Sequence, residues 1–196
     1  MDYTYQILKF VHIIGFVFMS VPLFNLIVVN ERALMGAKFN YGADRYMENI
    51  ISHGAIRCYV FQLTVFASGI LMLVCGPWHI EALWTNYFLL AKTSILIILT
   101  ALLSVVHFHV QPKIEACLKN ITPETQVPDN FLATIKPFRV LRKRLATGCL
   151  FLVLTTIILG MQVYQPFPLL LNCILIGIAG LFSLRVNKTL VRFGWL

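Results

Sequence analysis

The sequence predicts an all-α membrane protein, a bundle of five transmembrane helices in one domain spanning residues 1–196. Three observations carry this prediction. Five apolar stretches fill most of the chain, none of the five contains an Asp or Glu, and only 12% of all residues are charged. An ordinary soluble domain carries about 25% charged residues. A helix needs ~20 mostly apolar residues to cross a hydrocarbon layer ~30 Å thick, at ~1.5 Å per residue. Lipid cannot satisfy free backbone N–H and C=O groups, so a spanning segment is a helix or part of a closed barrel. The runs are continuous and lack period-2 alternation, which selects helices.

The first span, Tyr5–Val29, runs into Asn30-Glu31-Arg32, where charge ends it. It is expected to stay in the protein. Its apolar run exceeds that of a signal peptide, no basic segment precedes it, and no small-residue cleavage site follows. The connection after it carries Gly36, Gly42 and Asp44-Arg45-Tyr46-Met47-Glu48, which reads as a short interfacial helix. The second span, His53–Cys75, stops at Gly76-Pro77. Trp78, Trp84, Tyr87 and Phe88 follow, as an aromatic belt at a membrane surface would. The third span, Tyr87–His109, ends at Gln111-Pro112. The next connection is the longest, with Pro123, Pro128 and Pro137, and its basic end Lys136–Arg144 leads into the fourth span, Leu145–Tyr164. Gln165-Pro166-Phe167-Pro168 is a tight turn, so the fifth span, Pro168–Val186, is antiparallel to the fourth. Gly177 and Gly180 on that last span would let another helix approach closely.

The net charge of +8 is explained by orientation rather than by nucleic acid, which is excluded as a partner. Lys and Arg collect in cytoplasmic loops. On the N-terminal side, the N-terminus, the loop Gly76–Asn86 and the turn Gln165–Phe167 carry neither residue. The opposite side carries Arg32, Lys38 and Arg45, then Lys113, Lys119, Lys136, Arg139, Arg142, Lys143 and Arg144. The tail adds Lys188 and Arg192, just after Arg185. The N-terminus is therefore expected outside and the C-terminus in the cytoplasm. The five cysteines have no CxxC spacing and are expected to be free thiols.

Ionisable residues at membrane depth are costly and are functional candidates by default. His12 lies about two turns into the first span and Lys92 a similar distance into the third, from the same side. The two can share one depth, and Gln162 at the end of the fourth span could join them. A buried Lys without a carboxylate partner is costly. A haem propionate or a quinone carbonyl would be a natural partner for it. The plain alternatives are a histidine bonded to a neighbouring helix and, for Lys9, snorkelling to the interface. A second set lies at the opposite side. His53 begins the second span, Arg57 sits one turn further on the same face, and His107 ends the third. His107 and His109 differ by about 200° around a helix, so only one faces inward, and His107 is the choice. Two imidazoles and an Arg suit the axial nitrogens and propionate of a b-type haem. Interfacial histidines meeting lipid headgroups are the plain alternative. Ser/His/Asp sets, HExxH and Gly-rich phosphate loops are missing from the sequence. A carboxylate-based proton or cation pump is not expected, because no span holds a carboxylate.

Ile7-Leu8-Lys9-Phe10-Val11-His12-Ile13-Ile14-Gly15 resembles the "LKxLHxxG" opening of a superfamily of small bacterial membrane proteins. Its members are the HemJ-type protoporphyrinogen oxidases, the CopD-type copper-resistance proteins and an uncharacterised third group. Ser68-Gly69-Ile70-Leu71 is similar to their "xTGxxL" second helix. Leu90-Ala91-Lys92 is similar to the "W-x-x-x-K" third helix of the HemJ and CopD types, without the Trp. Val110-Gln111-Pro112 is closer to the third group, and Arg139–Arg144 matches the basic pair before the fourth helix. The resemblance covers about residues 5–165 and omits the fifth span and His53. It implies the bacterial inner membrane, a b-type haem with His12 as an iron ligand, and Lys92 beside the site.

These residues lead to an expected function as a haem b-binding subunit, for electron transfer or quinone-linked redox in a larger membrane complex. The expected cofactor and metal ligands are His12, His53 and His107, with Arg57 and Lys92 binding the cofactor's periphery. The lipid bilayer and other membrane subunits are the expected partners. The alternatives are a HemJ-like protoporphyrinogen oxidase, a cofactor-free structural subunit and CopD-like copper transport.

Overall fold

A computed structural model of the chain describes residues 3–34, 40–119, 121 and 130–188. Gly36, Lys38, Pro123, Pro128 and Arg192, which entered the reading above, lie outside the described residues. The described chain is helical, without strands. In order it forms α1 (Tyr3–Leu34), α2 (Tyr41–Cys75), the short α3 (Ala82–Thr85), α4 (Tyr87–Val105), a π-helical turn (Val106–Val110), α5 (Gln111–Lys119), α6 (Phe131–Tyr164) and α7 (Leu169–Lys188). Five helical runs are long and apolar enough to cross a membrane: Tyr3–Asn30, Tyr41–Cys75, Tyr87–Lys119, Phe131–Tyr164 and Leu169–Lys188. The chain is a multi-pass helical membrane protein.

α1 runs on through Asn30-Glu31-Arg32 to Leu34, and three further helices extend well beyond their apolar runs. All of these extensions lie at the end of the bundle opposite the N-terminus, called here the basic end. First, α2 begins at Tyr41, so Asp44–Glu48 is part of it rather than a separate interfacial helix. Its start is fixed by Asn40, whose side-chain oxygen accepts from the Ala43 N–H at 3.1 Å, while the Asn40 N–H donates to Asp44 at 3.1 Å. Second, the third span passes through Pro112 and continues to Lys119. The π turn makes this possible. Gln111 N–H donates to Val106 O, which shifts the hydrogen-bond phase and leaves Pro112 in the first turn of α5, where its missing N–H costs little. Third, α6 begins at Phe131, so Lys136–Arg144 is helical. α2 has 35 residues, about 50 Å of helix, so it projects beyond a ~30 Å hydrocarbon layer.

α1 packs along α2 and against α6, α6 also carries α4 and α7, and α2 touches α4 only sparsely. Met19, Cys58, Leu99 and Val153 form the mid-bundle core from α1, α2, α4 and α6. Ile27, Ala146, Leu150 and Val186 seat α7 against α6 and α1. Val110, Ile114, Leu118, Phe131 and Ile135 close the basic end. On α7, Gly180 lies against the Phe151 ring of α6, while the space over Gly177 is open. At the N-terminal end Trp84 and Tyr87 are exposed. The Gln165–Phe167 turn is braced by Gln162, whose amide donates to Phe167 O at 2.8 Å and accepts from Phe167 N–H at 3.0 Å. Gln162 therefore does not join His12 and Lys92, because both ends of its amide are occupied by the turn.

Candidate functional site

Four helices bring polar side chains and glycines together in one layer near the N-terminal end. His12 of α1 meets Ser68 of α2, Nδ1 to Oγ, at 3.0 Å. The Ser68 hydroxyl has one proton, and carbonyls one turn back compete for it. It donates to Thr64 O at 2.6 Å, with Val65 O at 3.2 Å. Ser68 Oγ is then an acceptor toward the imidazole, so His12 carries its proton on Nδ1. Nε2 keeps its lone pair. A second-shell bond to one ring nitrogen is what fixes the tautomer and angle of a ligating histidine.

The facing helix makes room for this ring. A β-carbon at Gly69 would lie 3.2 Å from His12 Cε1. The same device recurs across the layer, where a β-carbon at Gly160 of α6 would lie 3.4 Å from Lys92 Nζ. Lys92 of α4 is half-buried, and its ammonium has no hydrogen-bond or ion-pair partner among the described residues. A turn closer to the helix ends, Lys9 Nζ lies 4.6 Å above the centre of the Tyr164 ring. Tyr164 and Tyr5 share a hydroxyl contact of 3.4 Å. Lys9 thus turns away from the layer toward the interface.

His53, Arg57 and His107 are placed differently. His53 and Arg57 are exposed on the outer surface of α2, and His53 Nδ1 bonds the Asn49 carbonyl of its own helix at 2.9 Å. His107 lies on the π turn, half-buried, with its ring edge toward Tyr59 at a centroid distance of 6.1 Å. Its Nδ1 is buried without a partner. His109 is exposed. Among the described residues, no hydrogen bond or ring contact joins His53 or Arg57 to His107, and the sparse packing of α2 on α4 is the physical reason. A short loop made these helices sequence neighbours, but α1 and α6 take most of their packing surface.

The basic end holds a network that the sequence reading missed. Arg142 of α6 is fully buried, and its Nη1 donates to Glu48 Oε2 at 2.6 Å and to Gln111 Oε1 at 2.7 Å. Its Nη2 donates to Glu48 Oε1 at 3.1 Å and its Nε to Asn30 Oδ1 at 2.9 Å. Arg139 Nη2 bridges Asp44 at 3.0 Å and Glu48 at 3.2 Å. Residues from α1, α2, α5 and α6 therefore meet around one carboxylate. Two of the basic residues counted toward orientation neutralise acids inside the fold, and Lys143 beside them is buried too. The readable signal was Asp44 and Glu48 at i, i+4 opposite Arg139 and Arg142 at i, i+3, one stripe of each sign.

Among the described residues, no group of three or more His, Cys, Asp or Glu is arranged to hold a metal ion. No protein-family model, curated protein or solved structure matches the chain.

Proposed function

We propose that the chain is a haem b-binding subunit of a larger complex in the bacterial cytoplasmic membrane, serving electron transfer or quinone-linked redox. The N-terminus faces outside and the C-terminus the cytoplasm in this reading. One observation carries it: His12, with its Nδ1 proton committed to Ser68 and its Nε2 lone pair left over. That donor suits the iron of a haem, and haem iron accepts a single protein imidazole as proximal ligand. Lys92 supplies the second requirement, a cation without an anion among the described residues, suited to a propionate carboxylate. The bound haem would supply one-electron chemistry. Ser68 orients the imidazole, Gly69 and Gly160 leave the two side chains their room, and the apolar bundle excludes water.

His53 and His107 do not fit as two ligands of one iron where they stand. His53 and Arg57 belong to the outer surface of α2, where headgroup contact suits them. A second reading, a cofactor-free structural subunit, is favoured by the Glu48–Arg142 network, which ties four helices together with the chain's own residues. A reduced-minus-oxidised optical spectrum of the purified protein separates the two. An α-band supports the haem reading, and a flat difference spectrum from protein expressed with ample haem leaves the structural one.

A further inference from the structure

Residues 130–196 contain no Asp or Glu, so any acid that neutralises α6 or α7 comes from elsewhere in the chain. Arg139 and Arg142 take Asp44 and Glu48 of α2. Glu115 of α5 accepts from Gln111 at 3.3 Å, and Gln111 also donates to Glu48, so Glu115 sits beside the same network. Arg144 of α6 and Lys188 of α7 are left outside it. Both are exposed, and neither side chain has a hydrogen-bond or ion-pair partner among the described residues.

These two cations border one seam. On α6, Phe151 and Thr147 turn toward α7, where they meet Gly180 and Asn187, while Gly160 turns toward Lys92 of α4. Arg144, Gly148, Thr155 and Leu159 lie within about 60° of one another around α6, between those two directions. α4 and α7 barely meet each other across this stripe. Thr155 and Leu159 are buried, so the seam is closed toward the N-terminal end. Gly148 is exposed, and a β-carbon there would meet nothing within 4 Å, so the seam opens toward the basic end. On α7, Leu184 and Lys188 follow Gly180 by one and two turns. They lie on the flank away from Val186, which packs with Ile27 of α1. The result is an apolar notch over Gly148, walled by the exposed Leu184, with Arg144 and Lys188 at its mouth.

We propose that this notch seats one anionic phospholipid, its phosphate between Arg144 and Lys188 and an acyl chain over Gly148. Charge complementarity and depth select the occupant. Arg144 immediately precedes the apolar run that starts at Leu145, and Lys188 follows the one that ends at Val186, so both stand where lipid phosphates lie. A guanidinium forks onto phosphate oxygens, and a basic pocket between membrane helices suits an anionic headgroup. A zwitterionic headgroup brings a cation of its own beside the two already there, so the anionic lipid is preferred. The proposal stands or falls independently of haem at His12.

Native mass spectrometry of the full chain released from detergent tests this, with dioleoylphosphatidylglycerol and dioleoylphosphatidylcholine as probes. One tightly held phosphatidylglycerol is expected, with phosphatidylcholine bound more weakly and millimolar inorganic phosphate displacing neither. Arg144→Gln combined with Lys188→Gln should weaken phosphatidylglycerol binding about ten- to thirtyfold, the worth of two basic side chains at an anionic surface. Lys119→Gln combined with Lys136→Gln removes the same charge from the same end, away from the seam, and should leave the affinity nearly unchanged. Gly148→Trp fills the notch from an exposed position and should weaken binding with an unchanged melting temperature. Equal losses in the two double variants would reduce the effect to general charge and overturn the proposal. Equal affinity for the two lipids, displacement by phosphate alone, or full binding by Gly148→Trp also overturns it.

Discussion

Arg142 on α6 and Glu48 on α2 form a buried ion pair, Nη1 to Oε2 at 2.6 Å, with both side chains at most 3% exposed. Removing one member of such a pair leaves the other charge buried and costs ~3–5 kcal/mol. Glu48→Ala leaves Arg142 buried without a carboxylate and Arg139 with Asp44 alone, and should lower the melting temperature in detergent strongly. Asp44 is more exposed and, among the described residues, meets Arg139 and the Asn40 cap, so Asp44→Asn should cost distinctly less. Equal melting temperatures for the two variants would show that the network does not anchor the basic end.

The proposed orientation rests on the remaining basic residues. Arg139 and Arg142 are neutralised within the fold, yet Lys113, Lys119, Lys136 and Arg144 still lie beyond the apolar runs on one side, while the loop 76–86 and the turn 165–167 on the other carry no Lys or Arg. A reporter fused after Leu196 that works only in the cytoplasm should be active, and one that works only outside should be silent. The reverse pattern would invert the topology.

Lys92 should hold a carboxylate at the N-terminal layer. Lys92→Met keeps a similar volume, so the fold should survive while haem affinity falls about tenfold or more, the worth of a hydrogen bond to a charged group. Haemin titration into haem-depleted protein reads this directly. Unchanged affinity would mean that Lys92 serves no cofactor.

The two glycines should differ. A methyl at Gly69 would press on the His12 ring at 3.2 Å, whereas one at Gly160 meets the flexible end of Lys92 at 3.4 Å. Gly69→Ala should therefore broaden or shift the haem spectrum, and Gly160→Ala should change it little. Identical spectra for both variants would remove His12 from the iron.

The five spans were legible because each is a continuous apolar run. Their extensions were not, because polar ends of membrane helices look like loops. Asp44–Glu48 read as a short interfacial helix, and Arg139–Lys143 as loop charge, when each was taken singly. Only their pairing across α2 and α6 shows that they are core. Pro112 read as a stop, since nothing in the residue type announces a π turn. His12 and Lys92 were legible as polar residues at matching depth, and Gly69 and Gly160 were not, because a glycine's role depends on what faces it. His53 and His107 were paired on loop length, which fixes chain order but not which helices share a packing surface.

Haem content measured as the pyridine haemochrome in purified wild type, His12→Ala and His53→Ala tests the central claim most directly, since it asks which imidazole holds the iron. The expected result is haem in the wild type, loss of it in His12→Ala with the melting temperature of the apoprotein retained, and full haem in His53→Ala. Haem retained by His12→Ala, or lost on changing the exposed His53, would contradict the assignment of the N-terminal layer as the cofactor site.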